Sequence, residues 1–192
     1  MYYYDSSFLA KEAVRHYPWI GKVAESVQCV FITRGDTKEK KAEAMQIVKE
    51  RQMLAEKGIT PPILIYPEGA TTNGEALVYF NKGAFASLRS VQPIVIKYWS
   101  LNNIKASQDV LGLANHLNVI GMAIAIKQQV IELPVFTPND YFWKHHWKEG
   151  KEEKWEAFAR VVRQIMAEVG EFKLSDLTMQ DKFEYIEKLK GR

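Results

Sequence analysis

Four short apolar runs limit what this chain can fold into. Residues 27–33, 63–66, 91–98 and 129–136 are rich in β-branched and aromatic side chains, and none is long enough for a buried helix. Each reads as a buried strand. Between them lie longer segments whose apolar residues recur at helical spacing. Residues 37–57 carry Met45, Val48, Met53 and Leu54 on one stripe. Residues 151–169 carry Trp155, Phe158, Val162, Ile165 and Val169 on another. Strands alternating with helices predict an α/β fold, a mixed β-sheet covered by helices. A chain of 192 residues is long enough for one such domain, 1–192, and no repeat or low-complexity linker divides it.

Local signals refine the pattern. Thr37 is placed to cap the first long helix, with Lys40 as its third residue, and Gly58 to end it. Gly170 ends the second. Thr178 with Asp181 resembles a helix-starting cap before Phe183, Ile186 and Leu189. Residues 8–26 read as a helix divided by Pro18, on the spacing of Phe8, Leu9, Ala13 and Val14. Residues 82–88 read as a short helix. Residues 110–126 are apolar but interrupted by Asn115, His116 and Asn118, and fall short of the roughly 20 residues of a membrane span. They predict a buried or interfacial helix. Residues 137–140 end the fourth strand. The Trp143, Lys144, His145, His146, Trp147, Lys148 cluster after them reads as a solvated loop, with contact to a membrane surface as the alternative.

Composition narrows the function classes. Lys plus Arg is 26 against 23 for Asp plus Glu, a net charge of +3. No concentrated basic face results, which argues against nucleic acid as a partner. The single cysteine, Cys29, rules out an internal disulfide and sits within an apolar run, so it is expected to pack rather than react. The first five residues lack the basic and apolar regions of a signal peptide. None of the four histidines has a metal-ligand partner at helical spacing.

The run at 63–66 stops at Pro67-Glu68-Gly69, and a polar loop follows: Ala70-Thr71-Thr72-Asn73-Gly74. A carboxylate at the mouth of a buried strand needs a partner, so Glu68 is the first residue to explain. Gly69 and Gly74 fit G-x-x-x-x-G, but Glu75-Ala76 follow where a phosphate-binding P-loop needs Lys and Ser or Thr. Two readings remain. Asn73-Gly74 suits the turn of a hairpin. The hydroxyls of Thr71 and Thr72, with nearby backbone N–H groups, suit an oxyanion or phosphate. Arg34, directly after the first strand, and Lys82, before Gly83, are either phosphate contacts or ordinary surface cations.

These blocks resemble a known family. YPEGATTNG, then FNKGAF and VQPIVIKY, resemble the third and fourth motifs of the glycerolipid acyltransferases, most of all the lysophosphatidylcholine and lysophosphatidylethanolamine branch. Residues 8–12, 18–21 and 29–34 resemble that branch's second block, and residues 131–135 with the final helices resemble the end of its catalytic domain. The resemblance implies a glycerol-3-phosphate acyltransferase-like fold. It also implies transfer of a fatty acyl group from acyl-CoA, a co-substrate rather than a cofactor, to a lysophospholipid hydroxyl. The implied setting is a membrane surface, on the cytosolic face of the endoplasmic reticulum or another endomembrane. Carried over, Arg34, Glu68 and Gly69 fall on the substrate-binding side and Pro93 is the proline of the fourth motif; Thr71, Thr72 and Lys82 join them as candidate substrate contacts by residue type. Two departures stand out. Ala70 occupies the position of the family's threonine after Glu-Gly, where Thr71 and Thr72 can substitute. The family's general base, the histidine of H-x-x-x-x-D, has no counterpart: five residues after each histidine come Gly21, Gly121, Gly150 and Lys151. The expectation is an N-terminally truncated domain without a catalytic residue of its own. A non-catalytic lipid-binding remnant of the same fold is the alternative.

Overall fold

The computed structural model describes residues 6–32, 37–102, 104 and 113–190. They group into two compact units, one of residues 1–67 with 82–90 and one of residues 68–81 with 91–192. Helices and small sheets, both parallel and antiparallel, make up the α/β fold that the alternating pattern predicts.

The first unit is built on three parallel strands in the order β2-β1-β3: β1 (Ser7–Lys11), β2 (Val30–Ile32) and β3 (Ile63–Leu64). Leu9 pairs with Val30, and Phe8 with Leu64. Here the helix expected over residues 8–26 is corrected. Its first part is the central strand, because β2 and β3 each satisfy their ladder on one edge of it. Pairing on both edges outweighs a weak local helix preference. Beyond β1 the chain turns through a 3-10 helix (Glu12–His16), and after Pro18 only α1 (Ile20–Ser26) is α-helical. Ser7 is fully buried, and its N–H and hydroxyl both donate to the Pro62 carbonyl, at 2.8 and 3.3 Å. Cys29 is half-buried just before β2.

Helix α2 (Lys38–Glu56) follows the expectation closely. The Thr37 hydroxyl accepts from Lys40 N–H at 3.4 Å. At the other end Gly58 N–H donates to Ala55 and Ile59 N–H to Leu54, with Gly58 at φ +70°. That double bond pattern is a Schellman stop, which needs a residue tolerant of the left-handed conformation. Val48 is the only fully buried residue of the helix. Residues 82–88 form a 3-10 turn (Lys82–Ala84) rather than a longer helix, with Phe85 buried behind it.

The second unit holds two two-stranded sheets. β4 (Ala76–Leu77) runs parallel to β7 (Lys173–Leu174), and β5 (Ile94–Ser100) runs antiparallel to β6 (Ile126–Glu132). Since β3 pairs with β1 and β4 with β7, the hairpin reading of the Asn73-Gly74 turn does not hold. The fourth strand lies a few residues earlier than its composition suggests, and Phe136 instead makes a lone bridge to Val91. The apolar run at 110–126 contributes α3 (Leu113–Gly121). Leu117 is 59% exposed, so the helix is not buried as one of its two readings had it.

Residues 143–146 of the Trp/Lys/His cluster lie in a helix rather than a loop, with Trp147 at its C-terminal end and Lys148 beyond it. Asn139 caps α4 (Asp140–His146) by accepting Phe142 N–H at 2.9 Å. The signal was an Asn-Asp pair at a strand end, which serves equally as a helix start. Lys154 lies over the rings of Trp143 and Trp147, 5.4 and 4.8 Å from their centroids. Helix α5 (Lys154–Gly170) is the hub. It buries Ala157, Phe158, Val161, Val162 and Ala167 and packs against α4 and β5. Phe136, Phe142 and Phe158 form an aromatic cluster with centroids 5.3–5.9 Å apart. Ile165 and Val169, placed on the stripe by spacing, sit at its half-exposed edge. The last helix, α6 (Met179–Lys190), starts as expected: the Asp181 carboxylate accepts the Thr178 N–H and hydroxyl at 2.7 and 2.6 Å. These bonds hold the Asp181 carboxyl below its ordinary pKa.

Candidate acceptor-side site

The polar loop from Glu68 to Gly74 is shaped by its own sequence. Gly69 adopts φ +72° and Gly74 φ +74°. A Cβ on Gly69 would lie 2.6 Å from Asn81 Nδ2 and 3.2 Å from Met179 Sδ, so strain and space both require glycine there. Asn81 Nδ2 donates to the Glu68 carbonyl at 2.8 Å and holds the chain in this shape. Further along, Thr72 Oγ1 accepts from Gly74 N–H at 3.3 Å, and Asn73 Oδ1 from Glu75 N–H at 3.1 Å. Such side-chain turns use the loop's own N–H groups, which the phosphate-cradle reading had offered to a ligand.

The Glu68 side chain is half-buried. Its Oε2 accepts the N–H of Val78 at 3.2 Å. Desolvation raises its pKa above the ordinary carboxylate value, against the opposing pull of the Val78 bond and the Arg163 charge. A carboxyl of raised pKa next to a polar loop can exchange a proton or accept a hydroxyl hydrogen bond.

Arg163 is the residue that sequence reasoning missed. It is 6% exposed, yet its neighbours on α5 are Val161 and Val162. The guanidinium donates to the Leu77 carbonyl at 2.8 Å and to the Ser175 carbonyl, and lies 4.5 Å from the centroid of the Tyr79 ring. It thereby ties α5 to β4 and to the chain after β7. The signal was present: a cation inside an apolar stripe at helical spacing is buried only with partners. Lys182 of α6 was also missed, and its ammonium donates to the carbonyl and hydroxyl of Thr71. The loop is therefore held by Asn81 and Val78, which follow it closely in sequence, and by α6. Beside this network lies a cavity of about 400 Å³, with Asn81, Arg163, Tyr79, Trp155 and Thr178 in its wall.

The expected substrate-side residues are distributed as follows. Glu68, Gly69, Thr71 and Thr72 share the second unit with Pro93. Pro93 is buried at the start of β5, and its carbonyl accepts Leu133 N–H at 3.0 Å. Lys82 belongs to the first unit, half-buried in the 3-10 turn. Arg34 lies outside the described residues.

Known proteins match this chain along most of its length. It is 31% identical over 186 residues to the lysophospholipid acyltransferase LPEAT1 of Arabidopsis thaliana, covering 96% of this chain and 44% of that protein. It is 28% identical to lysophosphatidylcholine acyltransferase 1 of Homo sapiens, covering 92% of this chain and 31% of that protein. With human lysophosphatidylcholine acyltransferase 2 the identity is 29%, covering 91% and 30%. The chain thus spans less than half the length of each of these relatives. No solved structure matches it. The acyltransferase family model matches residues 3–99, which carry the Glu68 loop and the strand after Pro93. The chain belongs to the acyltransferase family.

Proposed function

We propose that this chain forms the acceptor-holding part of an enzyme that transfers a fatty acyl group from acyl-CoA to the hydroxyl of a lysophospholipid. The observation that carries the reading is Glu68, a desolvated carboxyl of raised pKa on a loop anchored by Asn81, Val78 and Lys182, in a chain of this family. Glu68, Gly69, Thr71, Thr72 and Pro93 of the second unit bind the acceptor, and Arg34 and Lys82 are candidate phosphate contacts by residue type. In the transfer the acceptor hydroxyl attacks the thioester carbonyl, the C–S bond breaks, and the CoA thiol leaves with the proton. A general base speeds such a step by about 10²–10⁴-fold, and no histidine here stands in H-x-x-x-x-D spacing. The 192-residue polypeptide therefore binds lysophospholipid and turns it over negligibly.

The site of action is a membrane surface, on the cytosolic face of the endoplasmic reticulum or another endomembrane. No described helix is long and apolar enough to cross a membrane. The missing histidine pattern favours a second reading, a lipid-binding protein on the same fold without chemistry. One experiment addresses both. Lysophosphatidylcholine and lysophosphatidylethanolamine are titrated against the chain and against Glu68→Gln, and acyl-CoA consumption is followed in parallel. Saturable binding weakened by Glu68→Gln, with no turnover, is the expected result. No binding of either lipid overturns the acceptor role, and robust turnover overturns the prediction of an inactive polypeptide.

A further inference from the structure

The end of the β5–β6 ribbon carries an apolar surface that the acceptor site does not use. Leu101, Met122 and Ile124 sit just beyond the two strands and are 65%, 67% and 59% exposed. They are not on a loose loop. Leu101 N–H donates to the Ile124 carbonyl at 3.1 Å, Asn102 Nδ2 to the Met122 carbonyl at 2.8 Å, and Ile124 N–H to Asn102 Oδ1 at 3.1 Å. Asn102 thus ties the two strand ends together where α3 leads into Met122, and three large aliphatic side chains stand exposed there.

The side chains change character along β5, while β6 keeps Ile126 and Val130 about half-exposed. After the aliphatic tip come Tyr98 and Trp99, both half-exposed. Trp99 pairs across the ladder with Lys127, which is exposed. Lys97 follows, ion-paired to Glu171 at 2.7 Å. At about 3.3 Å per residue, Leu101 to Lys97 spans about 13 Å. Aliphatic, aromatic, then basic is the order of a bilayer edge: acyl chains, then the interfacial belt, then phosphates. Charge agrees with it. Of the charged residues described on the ribbon, exposed Lys127 lies toward the tip and Lys97 is paired with Glu171, while the acidic Glu132 lies at the far end opposite Ile94. Apolar clusters held rigid in water and poor in acids mark interaction sites.

We propose that this tip is a membrane-docking surface that inserts Leu101, Met122 and Ile124 into the headgroup–acyl boundary of a phospholipid bilayer, with Trp99 and Lys127 at the headgroups. The proposal rests on the membrane-surface reading above but not on acyl transfer. The test is co-sedimentation of the 192-residue chain with phosphatidylcholine vesicles, with and without phosphatidylserine. The chain pellets with both, a few-fold more with the anionic lipid. The double variant Leu101→Glu/Ile124→Glu loses at least tenfold in binding, while Val135→Glu, a change at another exposed apolar site, keeps it. Melting curves matching the parent verify that the variants fold. Absence of binding by the parent chain overturns the membrane-surface reading and this proposal together. Equal binding by parent and double variant overturns only the tip. A vesicle-free dimer that the double variant dissociates assigns the surface to a second copy and also overturns it.

Discussion

Helices α2 and α5 are nearly equal in length and are built on opposite principles. α2 buries one residue, Val48, while α5 buries eight. α2 is held by its ends and its edges: the Thr37 cap, the Gly58 stop, Gln52 Nε2 donating to the Ala84 carbonyl at 3.0 Å, and Glu56 accepting from Arg89 and Ser90. α5 is held by packing around Phe158, with one buried cation anchoring it to two strand regions. The lesson concerns what each helix positions. α2 covers a sheet and tolerates a polar surface. α5 carries Arg163, which holds the chain at Leu77 and Ser175 and whose charge acts on the Glu68 carboxyl.

Breaking α5 should have the larger effects. Phe158→Ala removes a fully buried ring from the aromatic cluster, and a loss of about 3–5 kcal/mol is expected. Urea unfolding followed by tryptophan emission measures it directly, since Trp143 packs against Phe158. Arg163→Met keeps most of the volume but leaves the Leu77 and Ser175 carbonyls without their donor, a loss of about 2–4 kcal/mol. It also removes the positive charge that opposes desolvation at Glu68, so the Glu68 carboxyl should titrate at still higher pH, readable by carboxyl ¹³C chemical shifts. Val48→Ala in α2 removes about two buried methyl groups, a loss of about 2 kcal/mol. Hydrogen exchange of the α2 amides is the sharper probe, and a loss equal to that of Phe158→Ala would erase the contrast between the helices.

The smallest effect expected is a change of slope. Burial raises the pKa of Glu68 in the folded state above its unfolded value. The folded state then binds the proton more tightly, so the stability associated with this group is present at low pH and is lost as pH rises through the raised pKa. Glu68→Gln keeps an oxygen for Val78 N–H and has no proton to lose. Its melting temperature should match the parent most closely near pH about 4 and exceed it by pH about 8, above the ordinary carboxylate range. A constant offset across that range would contradict desolvation at Glu68.

Elements defined by local chemistry were legible from the sequence. The limits of α2, the Asp181 cap of α6 and the cores of β2, β3 and β5 follow from capping groups, glycine at a stop and β-branched runs. Elements defined by distant partners were not. β1 looks helical alone and is a strand because two others need its edges. Asn139-Asp140 marks a turn or a helix start with equal force, and only Phe142 buried against Phe136 and Phe158 selects the helix. At the site, glycine at 69 was legible as part of a loop, but the reason for it, Asn81 and Met179 crowding from outside, was not. Arg163 was visible in the sequence as a charge out of pattern, and its partners lie 12 and 86 residues away.

Those separations set a timetable. The loop at Thr71 is tied to Lys182, 111 residues later, and β4 pairs with β7 after almost as long a stretch. On a ribosome adding about 5–20 residues per second, the chain from 71 to 182 takes about 5–20 s to appear. Helix and hairpin formation takes on the order of microseconds by comparison. The acceptor loop is therefore made seconds before Lys182, which holds it, and before β7, which pairs with the strand after it.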